Sequence, residues 1–221
     1  MMDAEPAASE ILSAVRAATA CPDRDWYRSM MKSDICGCPI SEEEERELLD
    51  GAMRTAVAMQ QKIRGIYGGC PPQEIAGALQ LKIVNKVEEL REPFLFLGLY
   101  EPNNRTITLN RSALSLAEEF IASNNLSSLI SFADITCMVL FHEIFHALEE
   151  ETPGIFTRSY TVKRKALGIF PYKRRLDSLS EVGAVHFSKC MTDISYSPCI
   201  CERLLLLALG KLPMDKLSPG S

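Results

Sequence analysis

The chain has 221 residues, 47% hydrophobic and 24% charged, with a formal net charge of −5. That composition suits a folded globular protein and disfavours a surface built to hold nucleic acid, which needs an excess of Lys and Arg. The acidic opening MMDAEPAASE lacks the basic start and apolar core of a secretion signal, and no apolar run reaches the ~18 residues of a membrane span. A cytoplasmic protein with no membrane attachment is expected.

Residues 10–20 carry helical apolar spacing, and residues 21–40, with Pro22, Gly37 and Pro39, read as a connection. Ser41-Glu42-Glu43-Glu44 is a capping box: a Ser at the N-cap and a Glu three residues later satisfy orphan amides reciprocally. The helix it opens runs through Leu48, Leu49, Met53, Val57, Met59 and Ile63 to a stop at Gly68-Gly69. Its early Glu run reads as a solvated face favoured by the helix dipole, ahead of an interaction surface. Residues 1–69 are expected to form a helical extension to a domain over 70–213, with 214–221 as a flexible tail.

Strands are expected over 82–87, 94–100 and 105–110, with Pro102-Asn103-Asn104 turning between the last two. Thr106 and Thr108 alternate with Ile107 and Leu109, which predicts one polar and one buried face. An edge strand beside a metal-bearing helix can hold an extended substrate by strand addition. Residues 105–110 are the candidate for that role, which a central position would exclude. Helices are expected over 112–122, 127–150, 177–191 and 198–209, and no internal repeat interrupts them. The predicted class is α+β, mainly helical, with a small three-stranded sheet packed on the metal-binding helices.

Within the apolar stretch ITCMVLFHEIFHAL, His142-Glu143-Ile144-Phe145-His146 spell H-E-x-x-H. A chain of this length shows that pattern by chance about once in a hundred cases or fewer. Two His four apart on a helix differ by about 40° around its axis, so both imidazoles can share one metal. Glu143 is turned about 100° from His142, which suits a general base beside the metal. Two imidazoles and a carboxylate on a buried helix cost a few kcal/mol each unless paired. Coordination is the most economical pairing, and a hydrogen-bonded His pair is the structural alternative. Only three His occur in the chain, and two are here.

A catalytic zinc usually takes three protein ligands and keeps one position open. No His follows His146 until His186, so a carboxylate from a later helix is the remaining common choice. Glu181 stands near the start of the stretch DSLSEVGAVHFSKCM, with Asp177 as its nearest competitor. Spacing alone leaves the two open, because ligand chemistry does not set loop length. Glu149, Glu150 and Glu151 read as the solvated end of the motif helix. His186 falls about 140° around the helix from Glu181, which suits a hydrogen-bonded core role and not the same metal.

The order of segments resembles the ImmA/IrrE family of small metallopeptidase domains. Pro72-Gln73-Glu74-Ile75-Ala76 followed by residues 79–84 is similar to that family's opening helix and first strand. Gly98-Leu99-Tyr100 and Arg105-Thr106-Ile107-Thr108-Leu109-Asn110 are similar to its hairpin, residues 142–146 to its catalytic helix, and Glu181-Val182-Gly183-Ala184-Val185-His186-Phe187 to its later E-x-x-A-x-x-F helix. The match spans about residues 70–200. It implies Glu181 as third ligand, Zn²⁺ as cofactor, and cleavage of intracellular proteins, often transcriptional repressors. The chain departs from the pattern in the apolar stretch 135–141, which lacks Arg, in the long basic segment between His146 and Glu181, and in having no evident helix-turn-helix partner.

The leading expectation is a cytoplasmic zinc endopeptidase with His142, His146 and Glu181 on the metal and Glu143 as general base, acting on a protein or peptide substrate. The competing expectation is a regulatory protein-binding module whose metal site is structural or vestigial. Hydrolysis of a non-peptide amide uses the same residues. Mn²⁺ and Fe²⁺ also suit two imidazoles and a carboxylate. Oxyanion stabilisation beside the metal has Tyr160, Tyr172, Arg174, Arg175 and His186 as candidates. The basic run 160–175 borders an acidic substrate in one reading and is a solvated loop in the other. Eight Cys include the pairs Cys36-Gly37-Cys38 and Cys199-Ile200-Cys201. Unpaired thiols are the favoured reading, because C-x-C lacks zinc-finger spacing. The sharper idea brings the two pairs together in space.

Overall fold

The structure is a computed structural model that describes residues 8–35, 40–91, 95–166 and 170–220. Its elements in chain order are α1 (Ala8–Thr19), α2 (Asp23–Ile35), α3 (Glu42–Tyr67), α4 (Pro72–Ala78), β1 (Lys82–Lys86), β2 (Gly98–Glu101), β3 (Thr106–Asn110), α5 (Arg111–Ser123), α6 (Phe132–Glu150), α7 (Phe156–Ser159), β4 (Thr161–Ala166), β5 (Phe170–Arg175), α8 (Ser178–Thr192) and α9 (Ile200–Ala208). The fold is α+β and mainly helical, with a three-stranded mixed sheet and a separate two-stranded hairpin. No helix among the described residues is long and apolar enough to cross a membrane.

Local chemistry explains the long α3. The Ser41 side chain accepts from the Glu44 amide at 3.1 Å, as the capping box requires, and Gly68 ends the helix at φ 61°. The buried stripe is Leu48, Leu49, Ala52, Ala56, Met59 and Ile63, so small residues take the place expected for Met53 and Val57. That small-residue stripe lets α3 lie close along α8.

The segment read as a connection after residue 20 contains α2. Four of its five apolar residues come as two adjacent pairs four apart, Trp26-Tyr27 and Met30-Met31, on an otherwise polar helix. Trp26, Tyr27 and Met31 are fully buried. The basic run 160–175 is likewise not a loop. It forms β4 and β5, paired antiparallel from Thr161–Arg175 to Ala166–Phe170.

The sheet order is β1-β3-β2, with β3 parallel to β1 and antiparallel to β2. The strand expected at an edge is therefore the central one. All five residues of β3 are buried, Thr106 and Thr108 included, so the forecast of a polar face fails as well. Strand addition at β3 is excluded, because both of its edges are already paired. The edge nearest α6 belongs to β2.

The helices α6 and α8 form the centre of the molecule. Phe141 and Phe145 of α6 meet Phe187 of α8 with ring centroids 6.2 and 5.4 Å apart. A Cβ on Gly183 would come within 2.8 Å of the Phe145 ring, so glycine sets how closely α8 approaches α6. One hydrophobic core runs from Ile11 in α1 to Leu217 beyond α9. It crosses the boundary expected after residue 69. The tail expected to be flexible carries a 3₁₀ turn at Met214–Lys216 and buries Leu217.

Candidate metal centre

Helix α6 is apolar nearly all round because it is buried nearly all round. Against that background His142 and His146 project together, with Nε2 atoms 3.1 Å apart and ring centroids 4.8 Å apart. Glu181, one turn into α8, reaches both: Oε2 lies 3.3 Å from His142 Nε2, and Oε1 lies 3.6 Å from His146 Nε2. Ligand atoms about 2.0–2.1 Å from a tetrahedral ion stand about 3.3–3.4 Å from one another. The donor set and its spacing therefore fit a divalent cation. One ligand atom from each residue can be chosen so that all lie within 4.8 Å of one another.

Asp177, the competing carboxylate, is not in this cluster. It is exposed at the start of α8 and accepts from Arg175 Nε at 2.8 Å. Glu181, and not Asp177, joins the two imidazoles because the first turn of α8 faces α6, and Asp177 precedes that turn. Among the described residues no fourth ligand-bearing side chain joins the cluster.

Glu143 borders the same cleft as the imidazoles and reaches the sheet. It is buried, and its Oε2 accepts the Tyr100 backbone N–H of β2 at 2.7 Å. Gly98 makes that approach possible: a Cβ there would stand 2.5 Å from Val139 Cγ1 and 3.2 Å from Glu143 Oε1. A glycine on a strand thus marks a close approach to α6, where any side chain would push β2 off the motif helix.

Glu149 was expected at a solvated helix end and is instead fully buried. Its Oε2 lies 3.3 Å from His146 Nδ1 and accepts from Ser180 Oγ at 2.5 Å, while Oε1 accepts from Thr157 Oγ1. Ser180 Oγ also lies 3.2 Å from His146 Nδ1. A carboxylate on Nδ1 keeps the proton there and leaves Nε2 free to bind metal. Glu149 also reaches the residue next to Glu181, so it ties the two ligand-bearing helices together. The signal available in the sequence was its position three residues after His146, on the helix face shared by i and i+3 side chains.

Electrostatics match a site that expects a cation. Burial works against charge on His142, but the Glu181 hydrogen bond and the charges of Glu143, Glu181 and Glu149 prevail and raise it to about 9. Burial likewise opposes charge on Glu181, and the hydrogen bond and charge of His142, with His146, lower it to about 2. Without metal the cluster therefore holds a proton in the cation's place.

The other candidates are dispersed. His186 bonds Tyr27 Oη through Nδ1 at 3.0 Å, in the core role expected of it. Arg174 pairs with Asp34 of α2. Tyr160 stacks on Phe156. Arg175 lines the cleft beside the cluster. The Tyr172 side chain lies outside the described residues, as do Cys36 and Cys38. Cys199 and Cys201 are free, and Cys199 Sγ meets Met30 Sδ at 3.4 Å.

Two cavities meet at the cluster. One of about 420 Å³ is lined by Tyr100, Glu150, Arg158, Arg175 and Asp177. The other, of about 380 Å³, is walled mainly by apolar side chains of α2, α6 and α9. Gly98, His142, Glu143 and Glu181 border both. Comparison with models of known families, with curated proteins and with solved structures yields no match to this chain.

Proposed function

We propose that this chain is a zinc-dependent endopeptidase that cuts an intracellular protein, with a transcriptional repressor as the substrate class that the ImmA/IrrE resemblance implies. The observation that carries this reading is the convergence of His142, His146 and Glu181 at tetrahedral-edge spacing, on an open cleft, with Glu143 alongside. Two imidazoles and one carboxylate suit zinc. When bound there, zinc supplies Lewis acidity that acidifies water and polarises a carbonyl.

The remaining work falls to the chain's own groups. Glu143 is within reach of the cleft and is placed to take a proton from the attacking water and return it to the leaving amine. Its present partner, the Tyr100 N–H, belongs to the outer edge of β2. An extended peptide can add to that edge, which runs beside the cluster. Arg175 lines the same cleft and is the candidate to meet negative charge developing on the carbonyl oxygen. Glu149 holds His146 in the metal-binding tautomer.

The regulatory-module reading draws less support, since the apolar faces of α1, α2 and α3 are spent on the core. Elemental analysis of purified protein together with a proteolysis assay tests the proposal. It expects about one zinc per chain and cleavage that is lost on chelation and restored by zinc. Zinc-loaded protein that cuts no peptide would refute it.

A further inference from the structure

The cleft is asymmetric about the cluster, and its apolar half is completed by α2 and α9 residues outside the segment that resembles a peptidase. Its wall is Trp26 and Met30 of α2, Met138 and Val139 of α6, and Leu205 and Leu206 of α9. The cluster side chains His142, Glu143 and Glu181 form its inner end. Ser29, Ser188, Glu202 and Arg203 also line the cavity, and the buried Trp26 Nε1 has no hydrogen-bond partner among the described residues. Ser188 Oγ donates to Val185 O, and Arg203 donates to Lys216 O. Burial pushes the Cys199 thiol up to about 12, so it behaves as neutral sulfur. A cavity of about 380 Å³ is large enough for a whole side chain of any size.

Strand direction says which side of the bond this cavity serves. Leu95, Phe96 and Leu97, just before β2, line the apolar cavity, whereas Leu99, Tyr100 and Pro102 line the polar one. The chain at β2 therefore runs from the apolar side to the polar side. Its inner edge is taken by β3, with Asn110 N donating to Leu97 O, and the Tyr100 N–H faces the cleft. A peptide pairing antiparallel to β2, the somewhat more stable mode, runs the opposite way. Its C-terminal half then crosses the apolar cavity.

Resting on the peptidase reading, we propose that the α2–α6–α9 cavity seats the side chain immediately C-terminal to the cleaved bond and selects a large apolar residue there. The substrate class is an extended protein segment cut on the N-terminal side of a residue such as Leu, Met or Phe. Helix α2 is then part of the substrate site and not an appendage to it.

The test uses the zinc-loaded full chain and peptides randomised on both sides of one bond. New N-termini should be enriched about tenfold or more in Leu, Met and Phe over Asp and Glu, because an apolar wall penalises an unpaired charge. Trp26 is the single tryptophan, so its emission reports occupancy of the cavity without any turnover. In Glu143→Gln protein, peptides with Leu at that position should shift the emission and bind about tenfold tighter than their Asp counterparts. Leu206→Phe should move the preference toward smaller side chains. Cleavage with no apolar preference there, or with the preference on the N-terminal side, overturns this inference and leaves the peptidase reading standing. Binding of peptides with no cleavage of any of them by zinc-loaded protein overturns both.

Discussion

The two flanks of the cluster are built on opposite principles. On the His146 side a buried carboxylate, Glu149, is met by an imidazole and two hydroxyls, and Arg158 and Arg175 line the space beyond. On the His142 side the neighbours are mostly aliphatic, aromatic or sulfur-bearing, and the imidazole contacts Glu181 and His146. The first flank fixes a geometry through hydrogen bonds that fail together if one is removed. The second excludes water and tolerates exchange of one apolar group for another. On the proposed reading, the former side anchors the chemistry and the latter accommodates the substrate.

The contrast can be broken in several ways. The largest expected effect is at the group between the flanks: Glu143→Gln should lower cleavage about 10²–10⁴-fold while zinc content stays at the wild-type level. Undiminished turnover would remove the proposed role. The next effect is electrostatic. His142 must lose its proton to bind metal, and in the metal-free protein it holds that proton up to about pH 9. Apparent zinc affinity, followed by competition with a chelator, should therefore rise about tenfold per pH unit from 7 to 9 and flatten above.

The metal-free protein should show the reverse sensitivity. The raised His142 contributes stability that is complete below its ordinary 6.5 and fades as pH rises through about 9. The lowered Glu181 contributes above its ordinary 4.5 and fades as pH falls toward about 2. Thermal melts of metal-free protein should then peak between about pH 4.5 and 6.5, whereas zinc should stabilise most near pH 9.

A smaller effect separates the flanks themselves. Glu149→Ala should weaken zinc about 10–100-fold, because it frees the His146 tautomer, whereas Leu206→Ala should leave zinc affinity unchanged. Equal losses would dissolve the distinction between an anchoring flank and an accommodating one. Smallest is Gly98→Ala, which must displace β2 from Val139 at a cost of about 1–3 kcal/mol. It should lower the melting temperature by a few degrees and raise KM more than it lowers kcat, since the displaced strand is the one proposed to bind peptide.

Much of the site was legible because a helix has a fixed period. Given a helix, the four-residue step from His142 to His146 puts both rings on one face whatever surrounds them, and the apolar residues around them say that the helix is buried. The Ser41 cap and the Gly68 stop were legible for the same reason, being local hydrogen-bond chemistry. Helix α2 was hidden because its few apolar residues are outnumbered by charged ones. The hairpin at 161–175 was hidden because its basic residues leave no alternation to read.

What only the tertiary structure decided are the relations between segments distant in the chain. Glu181 prevails over Asp177 because Gly183 lets α8 close on Phe145 at the right level. Glu149 turns inward because Ser180 and Thr157 arrive from other elements to satisfy it. The strand 106–110 is central and not an edge because it returns between β2 and β1, parallel to β1 across a long connection. The physical reason is common to all three. Periodicity and capping act over a few residues and are written in the residues themselves, whereas packing depth, strand order and the burial of a carboxylate depend on which surfaces meet when the chain closes on its core.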